Sequence, residues 1–241
     1  MLSVDVIMLA TAQVEHYACH SVRLWQAYCA GRNYEFRRYP DQLIFDMHIN
    51  WSKIEMVRQH LDQSKADVVV LVDADTYACP NAVGIEELLQ GHQDKQIVFA
   101  SDCRRLLGMP VPLNIPAVLR HRTSQLPNAG FVAIRKGAFS KWFFDEWLNL
   151  ARNRLSHLAN NHPRNQQVLW SGLYFQNIEA LGLFDRQVQR IYSSRQIEST
   201  RRQGANFIHV KGGLEEHHVR GFIESLESRA RLTSDTSKQE V

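Results

Sequence analysis

The sequence has 241 residues, of which 44% are hydrophobic and 22% are charged, and its formal net charge is +3 at pH 7. This length and apolar content suffice for one large globular domain or two small ones. The charge is too small to indicate a protein that binds nucleic acid, because such proteins usually carry a concentrated basic face.

The cysteines and the N-terminus bear on the compartment. No cysteine pair has CxxC spacing, and no Cys/His cluster has the spacing of a zinc finger, so we interpret the four cysteines as reduced thiols of a cytoplasmic protein. The first residues lack the basic and apolar regions of a signal peptide. No window approaches the roughly 20 apolar residues that span a membrane. Peripheral contact with the inner membrane face is left open.

Strand and helix patterns alternate through the first hundred residues. Val4–Ala10 is a short apolar run that predicts a strand, and His16–Ala30 carries apolar residues at the spacing of an amphipathic helix. The alternation is typical of an α/β domain with a mostly parallel sheet. The next predicted elements are a strand at Tyr34–Tyr39, a helix at Trp51–Leu61 with Ser52 as its N-cap, a strand at Val68–Val72, a helix at Asn81–Leu89 and a strand at Gln96–Ala100.

The segment Arg104–Pro127 differs in character because it contains four prolines. We interpret it as a long irregular loop that contacts a substrate or forms a lid, since long loops in compact domains are usually functional. The elements predicted after it are a strand at Ala129–Ile134, a helix at Phe139–Arg152 with Trp142, Phe143, Phe144 and Trp147 in the core, a helix at Asn165–Tyr174, a strand at Phe207–Val210, an amphipathic helix at 214–232 and a disordered tail at 233–241.

The most informative feature is the apolar run Val68–Val72, which ends in two acids, Asp73 and Asp75. Such a run is typical of a strand that is buried on both faces, and ligands of α/β sheets bind at the carboxyl ends of the strands. Two carboxylates at this edge suit Mg²⁺ or Mn²⁺ with a nucleoside diphosphate. His209 ends another short apolar strand and is a candidate third ligand, and Lys211 is a candidate partner for a departing diphosphate.

A set of motifs in this order resembles the GT-A glycosyltransferases. The resemblance is greatest to the family of fungal galactosyl- and mannosyltransferases and plant xyloglucan xylosyltransferases, and the retaining glycogenin- and LgtC-like enzymes share several features. The motifs are Tyr17 with Ser21, Trp51-Ser52-Lys53, Asp73-Ala74-Asp75-Thr76, Asn128-Ala129-Gly130 with the strand that follows, Asn165-Gln166-Gln167-Val168-Leu169 and His209-Val210-Lys211-Gly212.

The resemblance implies a single GT-A, Rossmann-like domain over residues 1–213. It implies transfer of a hexose or pentose from a nucleoside-diphosphate sugar, with UDP-sugars favoured, to a glycan or glycolipid acceptor with the help of Mn²⁺ or Mg²⁺. The implied metal ligands are Asp73, Asp75 and His209. The implied donor-binding residues are Ala10, Thr11, Tyr17, Lys53, Asp73, Asn128, Ala129, Gly130 and Gly212. The residues implied at the reacting centre are Gln166, Asp102, Asn165 and Lys211.

Two departures from the family pattern affect these expectations. Asn165 stands where the pattern has Asp or Glu, and Ala129 stands where it has Ser or Thr. Because no residue is a compelling carboxylate base, with Asp102 and Asp145 only candidates, we favour a retaining mechanism. One alternative is a catalytically weak or inactive protein that binds nucleotide sugars. A phosphatase of the haloacid-dehalogenase type is a distant alternative, because Tyr77 stands where its motif requires Thr.

Overall fold

The computed structural model describes residues 2–105, 125–162, 164–185, 188–193, 205–211, 221 and 223–228. Its strands are β1 (Val4–Leu9), β2 (Glu35–Tyr39), β3 (Val68–Asp73), β4 (Thr76–Ala78), β5 (Ile97–Arg105), β6 (Gln125–Arg135), β7 (Leu181–Leu183), β8 (Gln189–Ser193) and β9 (Phe207–Lys211). Its helices are α1 (Glu15–Ala30), α2 (Asn50–Gln63), α3 (Ile85–Leu88), α4 (Ala138–Arg152), α5 (Ser156–Ala159) and α6 (Asn165–Val168), which a π-helix continues over Leu169–Tyr174. Residues 223–228 are also helical.

The central sheet has six strands in the order β2-β1-β3-β6-β5-β7. The pairings of β3 and β5 with β6 are antiparallel and the other three pairings are parallel, so β6 alone runs against the rest. Helices cover both faces of this sheet, which is why every residue of Val68–Val72 is fully buried. The predicted α/β domain with a mostly parallel sheet is confirmed.

Alternate residues of the strands belong to two hydrophobic cores, one on each face of the sheet, because successive strand residues point to opposite faces. On one face, Val69 and Leu71 pack with residues of α2 and α4, among them Trp51 and Trp147. On the other face, Val68 and Val70 pack with a cluster that includes Trp25 of α1. The sheet is therefore held between two helical layers, with its carboxyl edge left free for a site.

A second, smaller sheet has the strand order β4-β9-β8. Its strands β4 and β9 are antiparallel with Thr76 opposite His209, and β8 and β9 are parallel. Ile208 and Val210 pack with Ile223 and Leu226 of the C-terminal helical segment. Because successive strand residues point to opposite faces, Phe207 and His209 turn toward the central sheet instead.

Several local predictions are wrong. The Ser52 hydroxyl does not cap α2; it accepts hydrogen bonds from the backbone N–H groups of Leu43 and Ile44, each at 3.0 Å. Trp142 is 46% exposed, whereas the other three aromatic side chains predicted for the core of α4 are fully buried. Strands β5 and β6 also extend into both margins of the segment interpreted as an irregular loop.

Other predictions fall partly outside the described residues. The interior of the proline-containing segment, residues 106–124, and the predicted tail at 233–241 are not described. Residues 223–228 lie within the helix predicted at 214–232 and are helical. Cys19, Cys29 and Cys79 are free thiols. Within the described parts of the chain, no helix combines the length and the apolar character that crossing a membrane requires.

Candidate metal-binding site

Two acids lie where the central strand of the large sheet ends. Asp73 is the last residue of β3, and a turn through Ala74 and Asp75 leads directly into β4. Both carboxylates remain partly accessible, with 18% and 22% of the side chains exposed. The buried apolar strand thus delivers two charged groups to the carboxyl edge of the sheet, as the sequence predicts.

The small sheet brings His209 to the same place. Its register sets Thr76 opposite His209, and the Val210 N–H donates to the Asp75 carbonyl at 2.9 Å. The His209 Nε2 atom lies 3.1 Å from Asp75 Oδ1 and 4.0 Å from Asp73 Oδ2. Potential ligand atoms of these three side chains all lie within 4.8 Å of one another. The two acids and the imidazole therefore form a three-residue cluster, here called the acid–imidazole cluster.

Among the described residues, one lysine and one imidazole lie beside the two acids of the cluster. Lys53, in the first turns of α2, places its Nζ atom 2.5 Å from Asp73 Oδ1. Burial raises the pKa of the Asp75 carboxyl, but nearby His209 and Lys53 outweigh it and leave this pKa below its usual value. Asp75 is therefore ionised at neutral pH, which a metal ligand must be.

The donor set fits a divalent cation. Two carboxylates offer hard oxygen ligands that suit Mg²⁺ and Mn²⁺, and an imidazole in the same site favours Mn²⁺ over Mg²⁺. Three protein ligands do not complete the octahedral shell that these ions prefer, so positions remain for the oxygen atoms of a phosphate or water. The three side chains can therefore hold a divalent cation and leave coordination positions open.

A cavity of about 190 Å³ adjoins the acid–imidazole cluster. Burial, followed by the charges of Asp75 and Asp73, raises the pKa of Tyr17 in its wall to about 12. The Thr11 hydroxyl oxygen is buried there and has no hydrogen-bond partner among the described residues. Such a polar atom is available to a ligand. The lining residues are Leu9, Thr11, Val14, Tyr17, Ile49, Asn50, Lys53, Asp73, Ala74 and Asp75.

The wall also contains Leu9, Val14, Ile49 and Asn50, which are not among the predicted site residues. Ile49 and Asn50 stand just before Trp51, the first residue of the motif that supplied Lys53, so their position beside that motif was an available signal. The predicted Ala10, in contrast, is fully buried, and its backbone bonds to neighbours. Its N–H donates to the Tyr39 carbonyl, and its carbonyl accepts from the Arg38 guanidinium at 2.9 Å.

The contacts of three neighbouring residues of β6 differ: Asn128, Ala129 and Gly130. The Asn128 Oδ1 atom accepts a hydrogen bond from the Gly130 N–H at 2.8 Å. The Ala129 side chain is 1% exposed and belongs to the hydrophobic core, so only its backbone is available to a ligand. Gly130 lies directly against the His209 ring.

The helix α6 carries the remaining predicted residues of the reacting centre. Asn165 is 3% exposed; its Oδ1 atom accepts from the Gln166 N–H at 3.0 Å, and its carbonyl accepts from Trp147 Nε1 at 2.9 Å. The Asn165 Nδ2 atom is buried with no hydrogen-bond partner among the described residues. Gln166 is partly exposed beside it. The π-helix that follows is tied to β6 by a Trp170 Nε1 to Pro127 carbonyl bond of 2.9 Å.

For three predicted site residues, the structure describes no side-chain position. Asp102 lies in β5 and Lys211 in β9, but the structure describes only their backbone, and Gly212 lies outside the described residues. The alternative base Asp145 is on the outer surface of α4, where it pairs with Arg58 at 2.5 Å. Asp145 is therefore engaged away from the cavity.

No protein-family profile matches this sequence. No curated protein matches it either. The order of motifs is therefore the whole of the sequence signal that links the chain to known proteins.

Solved structures, in contrast, are similar over nearly the whole chain. A glycosyltransferase involved in glycosylation of the major capsid of PBCV-1 matches with a TM-score of 0.68 at 11% identity, over 92% of this chain and 99% of its own. The galactosyltransferase LgtC matches with a TM-score of 0.56 at 11% identity, over 94% and 95%. Mouse xyloside xylosyltransferase 1 matches with a TM-score of 0.51 at 10% identity, over 88% and 99%. At these identities the likeness establishes the fold, and the predicted GT-A fold is confirmed.

Proposed function

We propose that this protein is a metal-dependent glycosyltransferase that moves a hexose or pentose from a nucleoside-diphosphate sugar to a glycan or glycolipid acceptor. The observation that carries the proposal is the convergence of Asp73, Asp75 and His209 from two sheets beside a cavity at the carboxyl edge. The fold that this chain shares with solved glycosyltransferases supports it. A fold alone hosts many functions, so the argument depends on the cluster.

The donor is proposed to lie along the cavity with its diphosphate toward the acid–imidazole cluster. Thr11 and Tyr17 contact the nucleoside, because the free Thr11 hydroxyl offers a hydrogen bond and the Tyr17 ring offers a stacking face. Lys53 lies beside Asp73 and contacts a phosphate. UDP-sugars are the favoured donors because of the motif resemblance.

The sugar is proposed to lie between β6 and α6. Asn128 and Gly130 contribute one wall, and Asn165 and Gln166 contribute the other. The buried Asn165 Nδ2 atom can donate to a sugar hydroxyl, which would satisfy a polar group that has no partner among the described residues. Asp102 and Lys211 remain predicted contacts to the sugar and to the leaving diphosphate.

The transfer breaks the bond between the anomeric carbon and the diphosphate oxygen and forms a bond to an acceptor hydroxyl. When bound, Mn²⁺ or Mg²⁺ supplies charge stabilisation for the diphosphate as it leaves. Among the described residues that line the cavity, the only carboxylates are Asp73 and Asp75. With no separate base there, the leaving phosphate oxygen takes the acceptor proton, which favours retention of configuration.

Asn165 keeps a second function open, that of a weakly catalytic or inactive protein that binds nucleotide sugars. An amide at this position removes a carboxylate that the resembled pattern places next to the sugar, and its Nδ2 atom is left buried without a partner among the described residues. Binding without turnover is the result that would favour this function. The phosphatase alternative is not supported, because the structural neighbours are glycosyltransferases.

The proposal is tested by the thermal stability of the purified protein with a panel of UDP- and GDP-sugars, each with and without Mn²⁺. We expect one donor to raise the Tm only when Mn²⁺ is present, because ligands stabilise the state that binds them. The variant Asp75→Asn should lose this response. A matched control is Asp94→Asn, which neutralises a 71% exposed acid outside the site and should keep it.

Hydrolysis of the stabilising donor, measured as free nucleoside diphosphate, separates the two functions. Slow Mn²⁺-dependent release supports the transferase, and stabilisation without any release supports the binding protein. A donor response that persists unchanged in Asp75→Asn would contradict both, because it would place the nucleotide elsewhere.

A further inference from the structure

The His209 imidazole rests on the backbone of Gly130. A Cβ atom added to Gly130 would lie 2.6 Å from both Nδ1 and Cε1 of the His209 ring. The ring atom bonded to Cε1 on its other side, Nε2, is the one that lies 3.1 Å from Asp75 Oδ1. The contact at Gly130 therefore sets how far the ligating nitrogen projects toward the acids.

The backbone of Gly130 is held by hydrogen bonds that oppose its movement away from an added methyl group. Its N–H donates to Asn128 Oδ1 at 2.8 Å, and its carbonyl accepts from the Thr76 hydroxyl at 3.2 Å. Thr76 is itself held from behind, because its carbonyl accepts from Ser21 Oγ at 2.6 Å and from Trp25 Nε1 at 2.8 Å. These bonds connect β6 to β4 and α1.

The backbone that carries His209 is held as well. Phe207, two residues earlier on β9, stacks on Phe131 with ring centroids 4.5 Å apart and on Trp25 at 5.0 Å. His209 also pairs with Thr76 in the small sheet. With both backbones held, an atom added at Gly130 displaces the imidazole, and it also displaces the Asn128 Oδ1 atom, from which it would lie 2.8 Å.

We propose that Gly130 is a positioning residue for the divalent cation. Because Gly130 has no side chain, the His209 imidazole can pack against its backbone, and this contact holds the imidazole in the ligating position. The inference rests on the proposed metal-dependent function of this site, but it concerns a residue that touches neither the cation nor the acids. A substitution at Gly130 acts on the metal through His209, as residues behind a ligand generally do.

The test measures Mn²⁺ affinity directly, from the electron paramagnetic resonance signal of free Mn²⁺, with no donor present. We expect Gly130→Ala to weaken Mn²⁺ binding by about 10- to 100-fold, the range typical of residues that orient a metal ligand. Two glycines give matched controls. Gly172→Ala introduces a similar overlap, 2.8 Å from Leu150 and Leu155 side-chain carbons away from the site, and should lower the Tm while keeping wild-type Mn²⁺ affinity. Gly91→Ala meets nothing within 4 Å and should change neither.

A double-mutant cycle with His209→Asp makes the result independent of folding defects. The shorter carboxylate can still bind Mn²⁺, and it removes the ring that an added methyl group would meet. The overlap of that methyl group with Asn128 Oδ1 is present in both backgrounds, so the cycle cancels it. In this background Gly130→Ala should cost less than twofold in Mn²⁺ affinity, so the two substitutions should be strongly non-additive.

The outcomes separate this inference from the proposed function. Wild-type affinity in Gly130→Ala, or equal losses in both backgrounds, would overturn the positioning role and leave the proposed function standing. The expected cycle together with no stabilisation by any nucleotide sugar would keep the positioning role and contradict the proposed function.

Discussion

An aspartate lies beside a histidine at both edges of the central sheet, but the hydrogen-bonding surroundings of these side chains differ between the two edges. At the amino edge, Asp5 accepts hydrogen bonds from Ser64 Oγ at 2.5 Å and from His60 Nε2 at 2.9 Å. The other ring nitrogen of His60 bonds the Tyr39 hydroxyl at 2.8 Å. One carboxylate oxygen of Asp5 therefore accepts both hydrogen bonds, and His60 connects this acid to Tyr39.

At the carboxyl edge, two acids share one lysine and one imidazole. The cavity at the amino edge is the larger, at about 580 Å³ against about 190 Å³. The larger of these two cavities is therefore not the one that adjoins the acid–imidazole cluster. What distinguishes the candidate site is the convergence of two acids and an imidazole, a donor set that can hold a divalent cation. The hydrogen-bonded network at the amino edge contains a single acid, Asp5, whose Oδ2 atom already accepts hydrogen bonds from Ser64 and His60.

The largest effect that sharpens this comparison is expected from Asp5→Asn. The substitution weakens two hydrogen bonds to a mostly buried carboxylate, and we expect a loss of about 2–3 kcal/mol in the free energy of unfolding. Mn²⁺ affinity should remain that of wild type, because the network is structural. Urea denaturation and Mn²⁺ titration of the same preparation check both. A large loss of Mn²⁺ affinity without a loss of stability would break the distinction between the edges.

A smaller effect is expected at the carboxyl edge from Lys53→Met. Removing the ammonium group that lies against Asp73 removes a positive charge beside the cation, so metal alone should bind about fivefold more tightly, or about 1 kcal/mol. Donor affinity should fall if Lys53 contacts a phosphate. Lys141→Met is the matched control, because Lys141 pairs with Asp62 at the same 2.5 Å distance on the outer surface. Weaker binding of metal alone in Lys53→Met would show that the lysine assists the cation.

The smallest effect concerns an exposed acid at the amino edge. Hydrogen bonds from the Ser3 N–H and then the Ser3 hydroxyl hold the pKa of Asp67 below its usual 3.8. A lowered pKa in the folded protein stabilises it above the usual value, and this contribution is lost as the pH falls through the lowered one. Asp67→Asn should therefore be slightly less stable than wild type at pH 7, with the difference shrinking below pH 3.8. A constant difference across an acid titration would contradict this assignment.

Much of the central sheet could be predicted because its strands are long and apolar. The valine run of β3 and the acids that follow it have one natural place in an α/β fold, and the structure puts them there. Strands β4 and β7 have three residues each, too few to show a period of alternation. The reversed direction of β6 also has no local signal, since strand direction depends on connections and not on composition.

The site was predictable at its charged residues and less so at its walls. Asp73, Asp75 and His209 are polar residues that follow short apolar runs, so each is visible in the sequence. The different environments of Ala129 and Gly130 are not visible, because they follow from which face of β6 each residue occupies. Asn50 joins the cavity through tertiary packing of the start of α2, and its only signal in the sequence is its position beside the Trp51-Ser52-Lys53 motif.

The pairing of β4 with β9 has a consequence for how the protein is made. The acids of the cluster are synthesised before their imidazole partner, which belongs to β9. A nascent chain therefore carries the two acids without that partner until β9 has been made. The three-residue cluster is completed only after the ribosome has released β9, so a shorter nascent chain cannot present the geometry of the finished cluster to a cation.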